Sequence, residues 1–154
     1  YDYRVELMAK QIRALFGTVP DNVDDYALAS QATQMEALKF FVERFRAGKW
    51  RRTGIVWWNL LDGWPQLSDA VVDYYFSRKL AFPVLKRIQQ PLCLVLREPQ
   101  DGAQVLVACS DRRESVPVAF TVTDVATGET LLEGEGEALG DAVSDLGQIA
   151  SDGS

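Results

Sequence analysis

The chain has 154 residues, 47% of them apolar and 25% charged, a balance that excludes a disordered or fibrous polypeptide and suits one ordinary globular domain or two small ones. Its net charge of −6 leaves no general positive surface for phosphate, so nucleic acid is not an expected partner. It contains no histidine, which removes Ser-His-Asp and Cys-His hydrolase chemistry and the usual zinc sites together; neither a metal nor a cofactor is expected.

No uninterrupted apolar stretch, Ile55 to Trp58 included, is long enough to cross a bilayer, so no membrane partner is expected. The chain opens at Tyr1 rather than at a Met, and the lack of a leader therefore carries no information about compartment.

The amino-terminal third has helical period. Val5, Met8, Ile12, Leu15 and Phe16 recur at steps of three and four, and Gly17 and Pro20 punctuate the run. Asp21, Asp24 and Asp25 precede a second helix expected from Asp25 to Ala47, with Leu28, Ala32, Met35, Leu38, Val42 and Phe45 on one face and Gly48 as its stop. The basic residues Arg44, Arg46, Lys49, Arg51 and Arg52 cluster at its end, and are read as a solvated helix terminus favoured by the dipole.

At Thr53 the pattern changes. Ile55 to Leu60 is nearly all apolar, β-branched or aromatic, which predicts a strand buried on both faces of a parallel sheet. Gly63 and Pro65 make Leu61 to Ser68 a loop leaving that strand. Lys79 to Ile88 is read as mainly helix, with Pro83 tolerated in its first turn.

From Pro91 onward, short runs at Leu92–Leu96, Ala103–Cys109, Val116–Thr123 and Thr130–Glu133, with a further one near Ser144–Ile149, are separated by turn signals at Asp101-Gly102, Asp111-Arg112 and Thr127-Gly128. This predicts antiparallel strands of a sandwich with fewer than the roughly seven of a complete immunoglobulin-like fold. Cys93 and Cys109 both fall in strand-like runs and are read as two buried thiols, with a disulfide left open.

The segment Trp58-Asn59-Leu60-Leu61-Asp62-Gly63-Trp64-Pro65 resembles the pattern Trp-Gln-Leu-Asn-Asp-x-Trp-Pro at the end of the eighth barrel strand in β-mannosidases of glycoside hydrolase family 2. The resemblance extends through Val72-Asp73-Tyr74-Tyr75, Lys79-Leu80-Ala81 and Leu85-Lys86-Arg87, and back into Ser30-Gln31 and Glu36-Ala37. It covers most of Ser30 to Gln90 and, more weakly, the β segment beyond.

The resemblance implies an α/β piece, the last units of a TIM (β/α)8 barrel at residues 1–89, followed by a partial immunoglobulin-like β-sandwich at 90–154. Sugars need aromatic faces for their C–H surfaces and carboxylates or amides for their hydroxyls, and barrel active sites lie at the carboxyl ends of strands. Trp58, Asn59, Asp62 and Trp64 are the substrate-binding candidates on this basis, with Trp57 as packing. Leu61 departs from the family's usual Asn, which removes an amide from the expected wall. The two catalytic Glu of the family belong to its fourth and seventh strands, upstream of the matched segment, so no catalytic residue is expected here.

The implied partners are a β-mannoside or related glycoside and the remainder of a parent chain. A stand-alone carbohydrate-binding module and a purely structural domain, with every Trp in its core, are the competing readings.

Overall fold

The computed structural model describes residues 2–151; residues 1 and 152–154, at the ends of the two expected domains, lie outside the described range. The described chain contains three helices and five strands: α1 (Asp2–Phe16), α2 (Val23–Ala47), α3 (Ala81–Ile88), β1 (Leu92–Leu96), β2 (Ala103–Ser110), β3 (Val116–Thr123), β4 (Thr130–Ala138) and β5 (Val143–Ala150). They divide into two compact units, one of residues 1–42 and 55–88, the other of residues 43–54 and 89–154. Helix α2 contributes to both.

In the first unit α2 starts two residues before its expected boundary, because Asn22 caps it. The Asn22 side chain accepts from the Asp25 amide at 2.9 Å and donates to the Asp25 carboxylate at 2.7 Å, satisfying an amide that a helix start otherwise leaves without a partner. Of the apolar stripe expected on α1, Ile12 is fully buried whereas Val5, Leu15 and Phe16 are exposed. The short α3 buries Ala81, Leu85 and Ile88 on one face, and Pro83 sits in its first turn, where a missing amide hydrogen costs nothing.

One expectation requires correction. Ile55 to Leu60 forms no sheet ladder among the described residues. Ile55, Trp57 and Asn59 are half-buried while Val56, Trp58 and Leu60 are exposed, and the chain bends at Trp58 and Leu60. The composition supplies a strand-forming chain, but a strand also needs neighbours for its amides and carbonyls, and among the described residues no strand is paired with it; only the Val71 and Val72 amides reach its end.

The second unit is all-β apart from the end of α2. Strands β1, β2 and β5 make one antiparallel sheet in the order β1-β2-β5, and β3 pairs with β4 in another. Strand β2 is central, and Leu106 through Ser110 are all buried. On one face Val95, Val107 and Cys109 form a core against which Ala47, Cys93, Val105 and Val143 pack. Alternate residues point to the other face, where β4 approaches β2 and β5. Two facing antiparallel sheets are the arrangement of a small β-sandwich.

Strand β4 runs five residues past the expected Glu133. Its Glu-Gly-Glu-Gly-Glu stretch has weak strand propensity, but the glycines fit the opposing side chains. A Cβ on Gly134 would stand 3.1 Å from the Phe120 ring, and one on Gly136 would stand 2.9 Å from Leu146. The Asp101–Gly102 turn behaves as its composition dictates. Both residues have positive φ, 52° and 77°, and Gln100 and Ala103 exchange backbone hydrogen bonds across it, the tight turn that suits twisted strands.

The basic cluster also departs from its reading as a solvated terminus. Arg46 and Lys49 are largely buried, with side chains 13% and 15% exposed. Lys49 Nζ reaches Asp111 and Asp141, each at 2.7 Å, and the Ser110 carbonyl at 2.8 Å. Arg46 donates to Asp111 and to the Gln90 and Cys109 carbonyls. The carboxylates come from loops far along the sequence, which is why the cluster reads locally as surface charge.

Burial pushes the Lys49 pKa down, but hydrogen bonds and charge from Asp111 and Asp141 more than offset it, so the value lies above the ordinary 10.5. A raised lysine contributes fully below its unfolded pKa and loses that contribution as pH rises through the folded value. Lys49→Met should lower unfolding free energy by roughly 1–2 kcal/mol at neutral pH, the partial exposure of both carboxylates limiting the loss. The deficit relative to the parent should shrink in urea titrations carried above the ordinary lysine pKa.

Candidate functional site

The candidate residues lie in the first unit, on the segment that runs from Trp57 to Lys79. Its backbone is closed by a few bonds rather than by a sheet. The Val71 and Val72 amides donate to the Asn59 and Leu60 carbonyls at 3.1 and 2.9 Å, the Asp62 amide donates back to Val72 at 3.1 Å, and the Lys79 amide donates to Val71 at 2.9 Å. The Trp58–Asn59 peptide is cis.

At the centre of this loop is Asp62, buried to 2% exposure. One carboxylate oxygen accepts from the Ser68 hydroxyl and, at 3.4 Å, from the Gln66 amide; the other accepts from Lys79 Nζ at 3.0 Å. Lys79 also reaches the Ser68 carbonyl at 3.4 Å, and Ser68 Oγ accepts from the Ala70 amide at 3.1 Å. Burial pushes the Asp62 carboxyl up, but the Ser68 and Lys79 hydrogen bonds and the Lys79 charge outweigh it and hold the pKa below the usual carboxylate range. This carboxylate is ionised and fully engaged in bracing its own loop.

The aromatic candidates are presented outward. Trp58 is 77% exposed and Trp64 64% exposed, while Trp57 and Asn59 are half-buried. A second turn follows, where Asp73 accepts from the Tyr75 and Ser77 amides at 2.9 and 2.8 Å. Tyr74 and Tyr75 meet edge to face there, with centroids 5.3 Å apart. Helix α2 supports the segment: Gln34 donates to the Asp69 carbonyl, and Gln31 accepts from the Leu80 amide just before α3 at 3.1 Å.

Trp58, Asn59, Asp62 and Trp64 thus share one braced segment, but in two different situations: indole faces open to solvent, and a carboxylate turned inward. Ser68, Gln66 and Lys79, which determine that arrangement, carried no local signal. Lys79 is 17 residues from Asp62, and nothing in the intervening period announces the pairing. Among the described residues no group of three or more His, Cys, Asp or Glu is placed to hold a metal ion, and no helix is long and apolar enough to cross a membrane.

The braced Trp-Asn-Leu-Leu-Asp-Gly-Trp-Pro loop between helical elements, followed by a small β-sandwich, resembles the carboxyl-terminal part of family 2 glycoside hydrolases of the β-mannosidase type. The chain is 34% identical over 84 residues to β-mannosidase B of Emericella nidulans, covering 52% of this chain and 10% of that protein. It is 36% identical over 71 residues to an exo-β-D-glucosaminidase of Arthroderma benhamiae, covering 44% of this chain and 8% of that protein.

The fold matches a crystal structure of a β-D-mannosidase from Dictyoglomus thermophilum with a TM-score of 0.79 and 23% identity, over 97% of this chain and 18% of that one. No family model matches the chain. The chain therefore spans about a tenth of the length of the curated relatives it matches.

The buried ion pair generates a direct expectation. Asp62→Asn leaves the Lys79 ammonium, 12% exposed, without its counter-charge, and should cost roughly 3–5 kcal/mol. A lowered carboxyl pKa contributes stability above its unfolded value and loses it as pH falls through the folded value, so the parent's acid-side loss of stability should be reduced in Asp62→Asn. Chemical denaturation between pH 2 and about pH 7 reads both effects. The Asp62→Leu, Lys79→Met double variant, which removes both charges, should be less destabilised than Asp62→Asn.

Proposed function

We propose that this chain is a piece of a retaining glycoside hydrolase acting on terminal β-mannosides or related β-glycosides, to which it contributes one wall of the sugar site. In this reading residues 1–89 are the closing units of a TIM barrel and residues 90–154 part of an immunoglobulin-like sandwich. The observation that carries the proposal is the Asp62 brace. A buried ion pair fixes a loop whose indoles, Trp58 and Trp64, face outward. Large apolar rings held open to solvent by a rigid polar brace suit stacking against the C–H face of a pyranose far better than they suit a core.

In this proposal each candidate has a role. Trp58 and Trp64 supply aromatic faces. Asn59, half-buried beside Trp58, supplies an amide for a sugar hydroxyl. Asp62 acts as a positioning residue, since both its oxygens are engaged by Ser68, Gln66 and Lys79.

The depressed Asp62 pKa also argues against proton donation, because a general acid must hold its proton near the working pH. Retaining hydrolysis needs two carboxyl groups about 5–5.5 Å apart, one as acid/base and one as nucleophile. Glu6, Glu36 and Glu43, on α1 and α2, lack that setting, and the pair is assigned to the remainder of the parent. Relatives named for β-mannoside and β-glucosaminide cleavage support the reaction type more strongly than any single sugar.

Steady-state kinetics tests both halves of the proposal. The chain alone should not hydrolyse aryl β-mannosides. In the complete parent, Trp58→Ala should lower kcat/KM by at least about tenfold, about 1.4 kcal/mol of lost transition-state stabilisation, at matched folded fraction, and Trp57→Ala should act through stability. Unchanged efficiency in Trp58→Ala would remove that ring from the site, and turnover by the chain alone would overturn the assignment of the carboxylates elsewhere.

A further inference from the structure

In the second unit the only two cysteines of the sequence lie opposite one another on neighbouring strands: Cys93 of β1 is the ladder partner of Cys109 of β2. The hydrogen-bond phase of this ladder can be read from its ends. Asp111 donates to the Pro91 carbonyl at 2.7 Å, and Arg97 donates to the Val105 carbonyl at 2.9 Å. Bonded pairs recur every second residue, so Cys93 and Cys109 form a bonded pair as well, with Cα atoms about 5.5 Å apart. That separation falls within the range a disulfide spans. Their side chains also share a face, since both belong to the cluster built on Val95, Val107 and Cys109.

We infer that Cys93 and Cys109 form an oxidative modification site, a cross-strand dithiol that closes to a disulfide by exchange with a small-molecule disulfide of the glutathione type.

Exposure sets the order of the chemistry. Cys93 is half-buried and its thiol donates to the Leu94 carbonyl at 3.5 Å, whereas Cys109 is 2% exposed. Burial pushes the Cys109 thiol up to about 11, against the lowering influence of the nearby Arg46 charge. Cys93 is accordingly the thiol that meets the reagent. Its thiolate attacks one sulfur of the small disulfide, forming a mixed disulfide and expelling the first small thiolate. Cys109 then gives its proton to solvent, and its sulfur attacks Cys93 Sγ and expels the second. Two protein thiols are oxidised and one small disulfide is reduced to two thiols. The new bond ties β1 to the central strand on the face where Ala47 packs.

The site is independent of the glycosidase reading and is tested on the whole chain. Incubation with oxidised glutathione, acid quenching and intact mass spectrometry should give a monomer lighter by two hydrogens. Proteolysis without reductant should link the Cys93 and Cys109 peptides, and adding reductant should lower the thermal unfolding midpoint of the oxidised form. Cys93→Ser should give no such product and should leave Cys109 slow to react. Two mixed disulfides, a disulfide-linked dimer, or a dithiol that survives oxidant in the folded wild-type chain would each overturn the site. Oxidation of Cys109 in Cys93→Ser at the wild-type rate would overturn the order of attack.

Discussion

A carboxylate with no exposed side-chain surface and an ammonium 12% exposed, 3.0 Å apart, impose the constraint on which the first unit depends. Taking two charges out of water is expensive, and the cost is recovered only when their remaining lone pairs and protons are also satisfied. Ser68 and Gln66 satisfy the second Asp62 oxygen, and the Ser68 carbonyl takes a further Lys79 proton. Every one of those contacts fixes another part of the same loop. The segment from Leu61 to Lys79, which has no strand ladder and no helix until Ala81, holds its conformation through this network instead. The indoles of Trp58 and Trp64, on either side of the inward-turned Asp62, stay open to solvent.

The second unit uses the same physics with the signs exchanged. There the buried cations Arg46 and Lys49 belong to the end of α2 and the turn after it, and half-exposed carboxylates on the β-strand connections meet them. Cations at a helix carboxyl terminus oppose the negative end of its dipole, and the same cations fasten that terminus to the β unit. Trp50 continues the arrangement, its indole donating to the Asp141 carbonyl at 3.1 Å. In both units an ion pair with backbone carbonyls around it performs a positioning task that an apolar contact would perform less specifically.

Elements whose causes are local were legible in the sequence. The period of α2, the Asp101-Gly102 turn and the alternation of β3 depend on neighbours within a few residues, and the structure has them where composition puts them. The boundaries that moved did so for nearby reasons that propensity alone does not weigh. Asn22 caps α2 earlier than expected, and Gly134 and Gly136 prolong β4 because Phe120 and Leu146 fill the space their missing side chains leave.

The motif from Trp58 to Pro65, together with the further blocks on either side of it, pointed from sequence alone to the family that this chain resembles and to the four residues of its candidate wall. Sequence also determined that this chain contains no histidine and, apart from Ile55 to Leu60, the succession of helical and β segments, since these depend on which residues are present and on their spacing. Only tertiary structure decided that Asp62 turns inward to Lys79 while Trp58 and Trp64 stay open, that Arg46 and Lys49 are buried in ion pairs, that Cys93 faces Cys109, and that Ile55 to Leu60 has no ladder. Each of these depends on partners brought together from distant positions, and a charge, a thiol or a β-forming run carries in its own neighbourhood no record of what will stand opposite it once the chain has folded.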